Sequence, residues 1–209
     1  VTIETGATEN KTYTAKWSVN YIDADGMEQT FTDFTILSDG IIPIDSDDES
    51  TIGNEHEENW YVVSGDVTIN GELWFTDSIS HLIVCDGATL SVSSQYLDAI
   101  YGQNGPITIY GQTQGSGTIT ANGYRYGIMA YGDITINGCT VSATAIGNDG
   151  IYSNGNITIN RGTVTATGKY YGLSSGNVTI NGGTVSATGS SEYGKAGIYA
   201  STITLGWTN

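Results

Sequence analysis

From residue 127 to residue 205 apolar and polar side chains alternate in short bursts: Ile134-Thr-Ile136, Val141-Ser-Ala143, Ile157-Thr-Ile159, Val164-Thr-Ala166, Val178-Thr-Ile180 and Val185-Ser-Ala187. A period of two sends alternate side chains to opposite faces of an extended chain, so each burst reads as a short strand. The bursts recur as a phrase: GDITINGCTVSATA at 132–145, GNITINRGTVTATG at 155–168 and GNVTINGGTVSATG at 176–189. Coils that begin at Gly127, Gly150, Gly172 and Gly197 are 23, 22 and 25 residues long. A looser coil starts at Ala99, and a degenerate one surrounds SGDVTINGELWF at 64–75. A repeat of about 20–29 residues with internal alternation predicts a solenoid.

Three strands fit each coil: Gly-Ile-Tyr-Ser (150–153), Ile-Thr-Ile (157–159) and Thr-Val-Thr-Ala-Thr (163–167), with Gly or Asn-Gly at the corners. Stacking the coils predicts three inward ladders. Ile100, Ile128, Ile151, Leu173 and Ile198 form the first; Ile109, Ile136, Ile159, Ile180 and Leu205 form the second. Ile119, Val141, Val164 and Val185 form the third, beside Ala121, Ala143, Ala166 and Ala187. Asn70, Asn137, Asn160 and Asn181 recur at one corner, where stacked amides bond to one another. The expected fold is all-β: a right-handed parallel β-helix with three short strands per coil of about 22–25 residues and an N-terminal β cap. Residues 1–17 read as the tail of a preceding module or a linker, 18–59 as an acidic cap and connection, and 60–209 as the β-helix. The apolar material for the cap is Tyr21, Ile22, Phe31, Phe34, Ile36 and Leu37. At the other end Ile198, Ile203, Leu205 and Trp207 leave an unfinished coil to be covered by further chain or a neighbouring copy.

Charge narrows the function classes. The formal net charge is −16, with only six Lys and Arg, which argues against a nucleic-acid surface or a polybasic membrane patch. No apolar run is long enough to span a bilayer. The chain opens abruptly on VTIETGAT and reads as an excerpt of a longer protein. Residues 1–60 hold 14 of the 22 acids, and the densest run, DSDDESTIGNEHEEN at 45–59, is read as a solvated loop. No cofactor is expected; calcium is the one cation for which this run and Asp23-x-Asp25-Gly26 carry oxygen ligands, although the latter reads better as a hairpin turn. Cys85 and Cys139 form no motif and read as free thiols, Cys139 standing where the sister copies have Gly162 and Gly183.

Some phrases are familiar. TYTAKW at 12–17 resembles the closing strand of the Listeria–Bacteroides repeat, a β-grasp module of bacterial surface proteins. WYVVSGDVTI at 60–69, HLIVCDGATL at 81–90 and the ITING–TVSATG coils resemble a pectin-lyase-like β-helical region of secreted Firmicutes proteins, a region often described as carbohydrate-binding. The resemblance implies a bacterial, extracellular or cell-surface location. It carries over no ligand and no catalytic residue.

Polysaccharide hydrolysis needs converging carboxylates. Only eight acids follow residue 60, and no two neighbouring coils place them at one aligned position. His56 and His81 lack a nucleophile partner, and the Gly-rich GQTQGSG at 111–117 leads into a strand, not the helix a phosphate cradle requires. No enzymatic activity is therefore expected. Glycan binding fits better. The joints between coils (NGYRYG, AIGNDG, GKYYG, GSSEYGKAG) vary while the strands do not, and they carry Tyr124, Tyr126, Asn148, Asp149, Tyr170, Tyr171 and Tyr193. Flat rings with polar tips suit sugars, and amides and carboxylates suit hydroxyls. The expectation is a non-enzymatic, adhesin-like surface module that presents or spaces domains and binds glycans. The alternative is a structural stalk or filament subunit with no small ligand. Lyase or hydrolase activity and ice binding by the outward Thr ranks are minor readings.

Overall fold

The computed structural model describes residues 17–38, 49–53, 57–190, 192 and 196–206, with backbone only for 49–51. These residues form β-strands joined by tight corners, with no α-helix among them. The strands stack in parallel as a three-faced β-helix. The first face runs Glu49–Ile52, Glu72–Phe75, Ile100–Gly102, Ile128–Ala130, Ile151–Ser153, Leu173–Ser174 and Ile198–Tyr199. The second runs from Thr35–Ile36 through Glu58–Val63, Ile79–Val84 and Ile107–Tyr110 to Thr202–Leu205. Strands Ile134–Ala145 and Ile157–Thr167 turn the corner and supply both second and third faces.

All three predicted ladders are present in register. Ile128 sits between Ile100 and Ile151, Ile159 between Ile136 and Ile180, and Val164 between Val141 and Val185. Their side chains are wholly buried through the middle of the stack. The ladders extend beyond the predicted repeats: Leu73 continues the first, Tyr61 and Leu82 the second, Val67 and Leu90 the third. Parallel pairing satisfies the backbone between coils, so only β-branched alternation and compact corners are demanded of each coil.

The corners differ from expectation in one place. Asn160 Nδ2 donates to Asn137 Oδ1, and Asn181 Nδ2 to Asn160 Oδ1, each at 2.7 Å. Asn70 is not in that column; it pairs with Ser93 at the end of the third face. The phrase VTING of 67–71 therefore builds a third-face strand, because local alternation does not encode which face a strand occupies. A second amide column, Asn177 onto Asn156 and Asn156 onto Asp133, lies between the first and second faces. Cys139 holds a corner with φ +57°, the conformation Gly162 and Gly183 adopt at +88° and +81°.

Thr35–Ile36 and Glu49–Ile52 pair in parallel with the next coil, so they are the first turn of the solenoid, and Leu37 is buried among its core residues. Strands Val19–Ile22 and Glu28–Phe31 form an antiparallel hairpin that lies along the flank of the second face. Outward positions explain this. Trp60 points out of the early coils in the row that later coils fill with Thr108, Thr135, Thr158 and Thr179, and Val62, Ile83 and Tyr110 make an apolar row beside it. An apolar exterior strip needs cover, and Val19, Tyr21, Phe31 and Phe34 supply it. The predicted turn at Asp23–Gly26 is the hairpin's turn, with the Asp23 carboxylate accepting the Met27 N–H at 2.8 Å.

Candidate functional site

From Glu72–Phe75 onward the first-face strands present an outward column in register: Trp74, Tyr101, Met129, Tyr152, Ser174 and Tyr199. At the preceding corner, two residues before the inward Ile or Leu, stand Asp98, Tyr126, Asp149 and Tyr171. The corner tyrosines reach the outward tyrosine of the following coil. Tyr126 stacks with Tyr152 (centroids 5.0 Å, planes 28° apart) and Tyr171 with Tyr199 (4.7 Å, 22°). Near the N-terminal end Trp74 meets Tyr101 at 5.8 Å and Tyr101 meets Tyr131 at 6.1 Å. The result is an aromatic stripe parallel to the solenoid axis. It crosses five inter-coil steps, about 24 Å at about 4.8 Å per step. Tyr131 and Tyr199 are more than half exposed, at 53% and 58%.

The acids beside the stripe hold the corners. Asp98 Oδ1 accepts the Tyr126 N–H at 3.1 Å and lies 3.5 Å from Arg125 Nε, while the Glu72 carboxylate accepts the Asp98 N–H at 3.2 Å. Asp149 Oδ1 accepts the Tyr171 N–H at 3.0 Å. A carboxylate thus fixes the backbone from which the next corner tyrosine projects. Burial pushes the Asp98 carboxyl up to about 6, against the opposing pull of Arg125 and the Tyr126 amide. Burial also raises the Tyr101 phenol, to about 12, and that of Tyr126, so both remain protonated near neutral pH.

The sequence-predicted residues divide. Tyr126 and Tyr171 belong to the stripe. Tyr124, Asn148 and Tyr170 sit on the adjacent corner, where the joints stack as predicted: Gly147 N–H donates to the Tyr124 carbonyl and Tyr170 N–H to that of Asn148. The Lys169 ammonium lies 5.8 Å from the Tyr170 ring centroid. Asp149 is buried and serves the backbone. Tyr193 lies outside the described residues. Sequence reasoning missed Trp74, Tyr101, Tyr131, Tyr152 and Tyr199. The signal was available in the Ile-Tyr pairs at 100–101, 151–152 and 198–199, whose outward ring alternation fixes but which were counted only as strand.

Other candidates have structural explanations. His81 is stacked on Trp60 at 4.0 Å, with Nε2 2.9 Å from Glu58 Oε1 and Nδ1 3.1 Å from the Tyr110 hydroxyl. Burial lowers its pKa despite Glu58. His56 lies outside the described residues. In the Gly-rich loop the Asp86 carboxylate accepts the N–H groups of Gln114 and Ser116, which are therefore occupied. Cys85 and Cys139 are free thiols. Among the described residues no three His, Cys, Asp or Glu side chains cluster about a common point; residues 45–48 and 54–56 of the acidic run lie outside them. The outward Thr and Ser ranks of the third face are in register from Thr89 through Thr118, Thr140 and Thr163 to Thr184. Comparison with protein-family models, with curated proteins and with solved structures finds no match to this chain.

Proposed function

We propose that this chain is a non-enzymatic, extracellular, adhesin-like module that presents or spaces neighbouring domains and binds glycans on its first face. The observation that carries this reading is the axial aromatic stripe from Trp74 to Tyr199, set on a rod whose core is continuous. Rings with phenolic hydroxyls match a sugar's apolar faces and hydroxyl rim, and the stacked coils hold them without an ordering cost on binding. A catalytic reading has less support, because Asp98 and Asp149 are turned onto backbone N–H groups. The extracellular assignment rests on the resemblance of the coils to secreted β-helical regions.

The test is a broad glycan array probed with the wild type and with Tyr171→Ala/Tyr199→Ala. That double variant removes one ring pair at the exposed end of the stripe, outside the deeply buried ladders. Binding by the wild type that the variant loses, with the thermal midpoint held within a few degrees, supports the reading. A wild type that binds nothing, or a variant that binds equally, leaves the structural stalk as the better account.

A further inference from the structure

The exterior of the first face has twice the period of its backbone. Reading corner to outward residue, successive coils run Asp98-Ala-Ile-Tyr101, Tyr126-Gly-Ile-Met129, Asp149-Gly-Ile-Tyr152 and Tyr171-Gly-Leu-Ser174. In these four coils an acid at the corner goes with an outward tyrosine and a tyrosine at the corner with Met or Ser; the next coil, Ala196-Gly-Ile-Tyr199, keeps the outward tyrosine with Ala at the corner. The pairing geometry explains the alternation. Two carboxylates on adjacent coils would face each other at about 4.8 Å and repel. A corner tyrosine separates them, takes its backbone anchor from the preceding acid and leans over the outward tyrosine of the following coil. Met129 and Ser174, the outward residues of the coils whose corners carry Tyr126 and Tyr171, are each only 5% exposed. The ring pairs Tyr126/Tyr152 and Tyr171/Tyr199 therefore repeat every two coils, about 9.6 Å apart.

We infer that the stripe takes a neutral, extended β-1,4-linked polysaccharide lying along the solenoid axis, one disaccharide for each pair of coils; this rests on the glycan-binding reading above. In an equatorially linked chain successive sugars are flipped, so the chemical repeat is the disaccharide, and its length is close to the spacing of the ring pairs. Its flat faces present C–H groups to the rings while its hydroxyls reach the phenols and the Tyr152–Asn154 hydrogen bond (2.6 Å) at the edge. An α-1,4 chain coils away from a straight row and loses register after one pair. A polyuronate meets an unfavourable field. The chain carries −16, Asp98 and Asp149 run under the row, and the nearby Arg125 is already engaged by Asp98.

Isothermal titration of the intact chain with cellobiose, cellohexaose, maltohexaose and hexagalacturonate tests this. Cellohexaose engages two ring pairs and binds at least about tenfold more tightly than cellobiose, which reaches one. Maltohexaose and hexagalacturonate bind at least about tenfold more weakly than cellohexaose. Tyr126→Ala weakens cellohexaose binding toward the cellobiose level; the ligand series on the wild type stands by itself if that variant does not fold. If hexagalacturonate or maltohexaose matches cellohexaose, or if glycans bind on an array while cellohexaose does not, this inference falls and glycan binding stands. Equal affinity for the di- and hexasaccharide overturns the two-coil register. An array with no bound glycan removes both.

Discussion

Ile159→Ala is the sharpest probe of the inside–outside register, because its neighbour Thr158, β-branched like it and in the same strand, faces the opposite way. Ile159 is wholly buried and stacked between Ile136 and Ile180. Truncation removes three carbons, about 2.4 kcal/mol of transfer free energy at about 0.8 kcal/mol per methylene. The ladder above and below is fixed by backbone pairing and cannot close the gap, so a cavity contribution raises the expected loss to about 3–4 kcal/mol. Thr158 lies in an outward row between Thr135 and Thr179, and Thr158→Ala should cost about 0.2–1 kcal/mol. Leu205, in the same inward ladder as Ile159, is 51% exposed, and Leu205→Ala should cost about 1 kcal/mol, half the transfer free energy of three carbons and with no enclosed cavity. Thermal unfolding followed by far-ultraviolet circular dichroism reads these differences. For a chain of this length Ile159→Ala lowers the midpoint by about 6–16 °C and Thr158→Ala by under about 4 °C. Equal shifts at 158 and 159 would refute the register, and equal shifts at 159 and 205 would refute the argument from ladder burial.

Two further outcomes follow from the burial of single groups. Asp98 has a folded pKa of about 6, above the unfolded value near 3.8, so the folded state holds its proton more tightly. Stability therefore declines as pH rises from about 4 to about 6 and stays lower above that; Asp98→Asn should flatten this segment of a stability–pH curve measured by urea unfolding, and an unchanged slope would contradict the assignment. The thiols should also separate. Cys139 is 1% exposed, with its pKa pushed up to about 12, whereas Cys85 is only half-buried, so a thiol reagent at pH 8 should modify Cys85 first and Cys139 only on unfolding. Mass spectrometry showing equal native labelling would contradict this.

The ladders were legible because period-two alternation and a fixed coil length together determine which side chains meet: Ile100, Ile128 and Ile151 align by counting alone. The Asn137–Asn160–Asn181 column was legible for the same reason. Asn70 was not, since VTING looks the same on the second face as on the third, and the length of the preceding corner decides between them. The hairpin's position was hidden for a different reason. Trp60 opens the outward row that later coils fill with Thr, and Val62, Ile83 and Tyr110 make an apolar row beside it, but those same residues pass as ordinary strand formers. The stripe was half legible. Variable joints drew attention to Tyr126 and Tyr171, while their ring partners Tyr152 and Tyr199 lay in the invariant part of the repeat, where regularity reads as architecture. Asp149 shows the converse: a polar residue in a variable joint whose task is to hold a neighbour's backbone.

The hairpin makes the rod mechanically lopsided. Ile22 N–H donates to the Gly111 carbonyl, Gln112 Nε2 to the Asn20 carbonyl, Phe31 stacks on Trp60, and the turn at Gly26 abuts the Arg161 guanidinium. It thus straps the second-face strands from residue 60 to the corner at 161, binding five successive coils that would otherwise hold only their immediate neighbours. Among the described residues, the coils beyond, with second-face strands Asn177–Ile180 and Thr202–Leu205, carry no such strap. Under tension between its ends the rod yields from the unstrapped end, one coil at a time, each coil paying out about 75 Å of chain. The strapped coils resist as a block, since none can leave without the hairpin. In the role proposed above, the coils outside the strap would act as an extensible damper and the strapped block as a rigid mount.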